Sequence, residues 1–107
     1  MSVVLAFDLG GTSFRAALID AEGVTRAECA IFGPTIIDRL GWSEIDANDW
    51  WQTLVEACRR LADDAPDLFA TVAGIAICGV TRTQVFLGRD GRQLRHAMTW
   101  KDTRPDA

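Results

Sequence analysis

No stretch of apolar residues in this chain approaches the roughly 18–20 that cross a bilayer as a helix, so a helical membrane span is not expected. The opening residues carry no basic leader and no cleavage signature. Their apolar run, Val3 to Phe7, is short and ends in Asp8, which argues against a secretory signal. No block of lysine and arginine occurs, and the formal charge of −4 disfavours non-specific binding to nucleic acid or to an anionic membrane. Cysteine is sparse: Cys29, Cys58 and Cys78 are widely spaced, odd in number and without a CxxC pair. That excludes a disulfide framework or a zinc site as the first reading and favours buried free thiols in a reducing compartment, hence the cytoplasm. Histidine occurs once, as His96, with no partner motif beside it, so it reads as structural or surface and not catalytic. There is no internal repeat and no low-complexity segment.

What remains is an ordinary globular composition. The 107 residues suffice for one domain, and an apolar share of 49% can supply a core. Residues 3–8 form a continuous apolar run, which predicts a strand buried on both faces. After Gly10-Gly11, Phe14, Ala16 and Leu18 alternate with Ser13, Arg15 and Ala17, the period of a second strand. Asp20-Ala21-Glu22-Gly23 is a turn cluster, and residues 24–31 predict a third strand with Ala27, Cys29 and Ile31 on one face. Short turns between three strands imply an antiparallel meander.

Residues 33–45 read as irregular. Asp46 then looks like an N-cap, opening a helix to about Ala62 whose apolar stripe includes Trp50, Trp51, Leu54, Val55, Cys58 and Leu61. Arg59 and Arg60 suit its C-terminal dipole, and Asp63-Asp64-Ala65-Pro66 stops it. Residues 72–78 predict a second fully buried strand, parallel to its neighbour because a helix precedes it. Val85-Phe86-Leu87 and Leu94 to Trp100 flank Arg89-Asp90-Gly91, a hairpin turn. The fold class is therefore α/β. Three antiparallel strands, a helix, a parallel strand and a hairpin correspond to the first half of a ribonuclease H-like fold. The expected organisation is an incomplete domain over residues 1–107, with the second half absent and low solubility as a consequence.

The segment Asp8-Leu9-Gly10-Gly11-Thr12-Ser13-Phe14-Arg15 carries the most chemistry. Glycines without Cβ let a backbone take positive φ and approach a phosphate closely. Successive N–H groups in such a turn form an anion-binding concavity, Thr12 and Ser13 add hydroxyls, and Arg15 offers a charge-assisted donor. Asp8 can hold Mg²⁺ through water. A plain glycine-rich hairpin with Asp8 capping the turn fits the same residues. Trp42 and Trp100 sit among polar neighbours, as sugar-binding indoles do, although packing accounts for them equally; Trp50 and Trp51 read as core. Thr81 and Arg82 follow the second buried strand, where ligands of open α/β sheets gather, or else form a solvated turn.

Three segments together resemble the N-terminal region of the FGGY carbohydrate kinases, the group that includes xylulokinase, glycerol kinase and ribulokinase. The glycine segment is similar to that family's first phosphate motif. Gly41-Trp42-Ser43-Glu44-Ile45-Asp46-Ala47-Asn48-Asp49-Trp50-Trp51 is similar to its W-x-E-x-D-P-x-x-W-W segment, with Ala47 in place of proline. Ile75 to Gly79, through Asp90-Gly91 to Trp100-Lys101-Asp102-Thr103-Arg104, is similar to its strand, hairpin and W-N-D-x-R stretch. The resemblance implies ATP- and magnesium-dependent phosphorylation of a sugar or polyol hydroxyl by a longer protein of two closing domains. It implies Gly10, Gly11, Thr12, Ser13 and Arg15 near the ATP phosphates and Asp8 on the magnesium side. Thr81, Arg82, Trp100 and Asp102 would line the acceptor cleft. The base aspartate and the adenine site would lie downstream, leaving these residues inactive alone. A homodimer of the full-length form is among the partners it admits; nucleic acid and membrane are not.

Two departures stand out. Gly79-Val80-Thr81-Arg82-Thr83 replaces the family's usual G-Q-M-H-G or N-Q-R-E, which leaves the sugar open. Gly11 stands where many members have threonine and resembles the D-x-G-G-T of glucokinase-type ROK kinases. A non-catalytic sugar- or nucleotide-binding relic is the alternative of a different class. A two-metal nuclease would need clustered carboxylates, and only Asp8 is convincingly placed.

Overall fold

The computed structural model describes residues 2–33, 36 and 39–104. Strands β1 (Val3–Leu9), β2 (Ser13–Asp20) and β3 (Thr25–Phe32) form the antiparallel meander that the sequence predicts. The link between β2 and β3 is built around Asp20. Its carboxylate accepts from the Glu22 and Val24 amides and from Arg26 Nε at 2.7 Å, while Gly23 takes φ +82. Helix α1 (Ala47–Asp64) follows, capped by Asp46, whose carboxylate accepts from the Asn48 amide at 3.0 Å. A short helix α2 (Pro66–Phe69), with Pro66 in its first turn, leads into β5 (Val72–Cys78). β5 lies parallel to β1, giving the order β3-β2-β1-β5.

The core occupies one face of this sheet. Val3, Leu5 and Phe7 of β1 and Phe14, Ala16 and Leu18 of β2 pack against Ala57 and Leu61 of α1. Phe7 and Phe14 meet at 5.7 Å between ring centroids. Leu18 and Leu61 are fully buried, and burying a leucine stabilises a fold by about 1.5–3 kcal/mol.

Several expectations are corrected. β1 is buried on one face and not both: α1 covers the side of Val3, Leu5 and Phe7, while Val4 is exposed. β5 is not a buried strand; Ile75 and Ile77 are 69% and 63% exposed, because α1 packs mainly over β2 and β3 and not over β5. Trp51 is exposed: adjacent helical residues stand about 100° apart, and Trp50 takes the inward position while Trp51 falls outside the covered stripe. The helix runs to Asp64, so Arg59 and Arg60 fall short of its last turn and pair with Glu56 instead. Cys29 and Cys58 are half-buried free thiols whose pKa burial pushes up, but Cys78 is exposed.

The region read as irregular holds a strand, β4 (Glu44–Ile45), paired with β6 (Ala97–Met98) in a second small sheet. β6 is much shorter than the strand expected over Leu94 to Trp100. The hairpin survives as bridges Gln84↔Met98 and Leu87↔Gln93 closed by Gly91 at φ +81. Gln93 anchors this hairpin to the helix start, accepting from the Ala47 amide at 3.0 Å and donating to Asp46.

Candidate active site

Strand register places the first candidates. Asp8 stands opposite Arg15 across the β1–β2 pair and opposite Cys78 across the β1–β5 pair. Because Phe7, Phe14 and Ala16 face the core, Asp8 and Arg15 share the open face of the sheet, and both are exposed. Between them runs the bend of Gly10, Gly11 and Thr12. Neither glycine has positive φ, contrary to the sequence argument. Gly10 is required by proximity: a Cβ there would collide with the Ser13 carbonyl oxygen. Gly11 has open space where a Cβ would stand. The Thr12 carbonyl accepts from the Gly33 amide at 3.4 Å, tying the bend to the end of β3.

The bend borders two cavities. Gly10 to Phe14 line a small one of about 60 Å³ against Ile31, Ile45 and Trp50. Gly11 and Thr12 also border a cavity of about 320 Å³ that Trp42, Ser43, Thr99, Trp100 and Lys101 line as well. A third cavity, about 250 Å³, continues past Trp100 and Thr99 to Arg82, Gln84, Met98 and Asp102. The phosphate candidates Gly11 and Thr12 thus meet the sugar candidate Trp100 across one space, and Arg82 and Asp102 adjoin it. Thr81 stands apart, exposed, with its carbonyl accepting from the Thr83 hydroxyl at 3.2 Å. Arg82 itself has φ +47, a conformation uncommon for a residue with Cβ.

Asp102 is not a free carboxylate. It accepts from the Ser43 amide at 2.8 Å, from the Arg104 amide at 3.1 Å and from Arg104 Nη2 at 2.6 Å. These bonds, above all the Arg104 guanidinium, hold its pKa well below the ordinary range against the opposing effect of burial. Arg104 Nη2 also reaches Glu44 Oε2 at 2.5 Å, which Arg95 Nη2 approaches at 2.6 Å, and His96 Nδ1 lies 3.4 Å from Glu44 Oε1. Burial pushes Glu44 upward, but Arg104, Arg95 and His96 outweigh it and leave its pKa lowered. The guanidinium of Arg104 stacks on the Trp42 ring at 3.8 Å. Ser43 and Thr99 hydroxyls meet at 2.5 Å. Sequence reasoning missed this network. Its signal was present, since Trp42-Ser43-Glu44 and Asp102-Thr103-Arg104 are both motif segments, but their contact spans about sixty residues of chain.

The residues suit a magnesium ion. Mg²⁺ retains several waters and binds through one or two carboxylates plus substrate phosphates, and Asp8 offers one exposed carboxylate beside the bend. Among the described residues no group of three or more acidic, histidine or cysteine side chains forms a complete protein cage.

A three-stranded meander, a crossover helix and a parallel strand place the chain in the actin- and hexokinase-like class of α/β folds. The model of the FGGY family of carbohydrate kinases, N-terminal domain, matches residues 3–107, and the chain belongs to that family. It is 32% identical over 104 residues to a xylulose kinase of Bacillus subtilis (strain 168), covering 97% of this chain and 21% of that protein. It is 30% identical over 107 residues to a glycerol kinase of Delftia acidovorans, covering 99% and 22%. A crystal structure of a xyloylose kinase from Brucella ovis superposes with a TM-score of 0.92 at 28% identity, over 95% of this chain and 22% of that one. The chain spans about a fifth of the length of these curated relatives. Among the described residues no helix is long and apolar enough to cross a membrane.

Proposed function

We propose that this chain contributes the phosphate-side wall and part of the acceptor wall of a kinase that transfers the terminal phosphoryl group of ATP to a sugar or polyol hydroxyl. The observation that carries the reading is the cavity of about 320 Å³, where Gly11 and Thr12 face Trp42 and Trp100. A phosphoryl donor and a hydroxylic acceptor need such a shared space, because phosphoryl transfer rests on positioning and charge neutralisation. In this reading Gly10 to Ser13 offer amides and hydroxyls to the terminal phosphates, and Arg15 supplies the cation. Asp8 would hold Mg²⁺, which when bound neutralises phosphate charge. The indole faces of Trp42 and Trp100 pack against sugar C–H groups, and Arg82 binds hydroxyls.

The acceptor oxygen forms a bond to the γ-phosphorus as the bridging P–O bond to ADP breaks, and the hydroxyl proton passes to a base. The nearby carboxylates, Asp102 and Glu44, are engaged with Arg104 and are poor candidates for that base. The chain alone is therefore expected to bind nucleotide without turnover. The proposed compartment is the cytoplasm, in keeping with free Cys29, Cys58 and Cys78.

Calorimetry of ATP binding, with and without Mg²⁺, tests the donor side. Arg15→Met removes a charge-assisted donor and weakens binding by roughly tenfold or more. Asp8→Asn removes the magnesium enhancement. Unchanged binding in both variants overturns the assignment.

A further inference from the structure

We propose that the acceptor side of this cavity selects a negatively charged substrate, a polyhydroxy chain bearing a carboxylate, through Lys101 and Arg82 on either side of Trp100. The proposal rests on the sugar-kinase reading above and adds the charge of the acceptor to it. Trp100 and Thr99 line both the cavity of about 320 Å³ and that of about 250 Å³; Lys101 lines the first and Arg82 the second.

Lys101 Nζ lies over the Trp100 ring at 5.5 Å from its centroid, held against an aromatic face and not by an acid. Among the described residues no carboxylate lies within 4.0 Å of Lys101 Nζ or of the Arg82 guanidinium. The one acid lining either space, Asp102, has both oxygens engaged by Arg104 and Ser43. A chain of net charge −4 therefore presents positive charge on both sides of one indole. Arg82 also carries the left-handed φ of +47, the kind of backbone outlier that gathers at ligand sites.

An indole takes the C–H face of an acceptor, and a flanking cation takes a carboxylate by a charge-assisted hydrogen bond. A neutral polyol would offer neither cation an anionic partner. The competing source of negative charge is the nucleotide, because Gly11 and Thr12 border the same space as Lys101. The experiment separates the two.

The chain is titrated with xylonate and with xylitol, equal in carbon number and differing in the carboxylate. Binding is read from tryptophan fluorescence and from the indole N–H resonance of Trp100. Xylonate is expected to bind roughly tenfold tighter than xylitol. Lys101→Met and Arg82→Met each erode that advantage, whereas Lys101→Arg retains it. Because Lys101 and Arg82 are exposed, these variants leave the fold intact, which thermal melting checks. Equal binding of the two ligands overturns the charge selection and leaves the sugar reading standing. A Lys101→Met variant that loses MgATP binding but keeps its preference for xylonate assigns Lys101 to phosphate and overturns the proposal. Failure of both ligands to move the tryptophan signals overturns the proposal and the acceptor reading together.

Discussion

Arg104 sits over the Trp42 ring, its guanidinium carbon 3.8 Å from the centroid, while the same group binds Glu44 and Asp102. One side chain thus joins strand β4 to the segment that follows β6 and orients an indole of the larger cavity. A planar guanidinium performs all three contacts at once; an ammonium cannot. Arg104→Lys is accordingly expected to keep part of the ion pairing and lose the stacking. Fluorescence of Trp42 checks this, with a change in the variant despite a preserved far-UV spectrum. An unchanged indole signal would show that the stacking does not hold Trp42.

Stability is expected to fall with acid through the same cluster. Glu44 and Asp102 both have pKa values below their ordinary 4.5 and 3.8 in the folded chain. The unfolded chain therefore takes up protons first as pH drops. The stabilisation is complete above the unfolded values, declines from about pH 5 downward, and is lost as pH passes through the folded values. Melting temperature measured from pH 7 to pH 3 should show this slope. The double variant Glu44→Gln, Asp102→Asn should start lower and lose less, and a parallel profile would contradict the assignment.

Leu61 is fully buried between α1 and the sheet, among Leu5, Phe7 and Leu18. Leu61→Ala should cost about 2–5 kcal/mol, the transfer loss plus the cavity left behind. Urea unfolding measures it directly. A native domain is stable by only about 5–15 kcal/mol, so the variant should lose a large share of its stability. A loss under 1 kcal/mol would mean that the helix is not seated as described.

Most of the sheet was legible because period-two alternation and turn residues act locally. Phe14, Ala16 and Leu18 announce a buried face, and Asp20 to Gly23 announce a turn, without reference to anything distant. The continuous runs in β1 and β5 misled, since apolar composition permits burial on both faces but does not supply the layer that covers the second one. Trp51 failed for a related reason: stripe membership spans about half a helix, and only contact decides which edge is covered. The pairing of β4 with β6 and the Glu44–Arg104–Asp102 network were illegible because each joins segments more than fifty residues apart. Within the candidate site, the bend and Trp100 were readable from residue type. The reason for Gly10 was not, being a collision with Ser13 and not a matter of φ.

That distinction separates the two glycines experimentally. A Cβ on Gly10 meets the Ser13 carbonyl oxygen, a backbone atom that cannot swing away, so Gly10→Ala must deform the bend. Gly11→Ala meets nothing within 4 Å and has no positive φ to oppose it. Gly11→Ala should change stability by no more than about 0.5 kcal/mol, as surface substitutions do. Gly10→Ala should lower the melting temperature and weaken ATP binding together. Equal melting temperatures for the two variants would show that the bend relaxes freely.

Ile75 and Ile77 stand exposed on β5, and among the described residues β5 has a strand partner on one side only, β1. An apolar strand with an open hydrogen-bonding edge is a template for pairing with another chain. The chain is therefore expected to self-associate in a concentration-dependent way, visible by light scattering at micromolar protein. Ile77→Lys places a charge on that strand, beyond the covered core, and should suppress association while changing the melting temperature little. Wild-type chain that stays monomeric at high concentration would mean that the edge is protected by its twist or by the neighbouring loop.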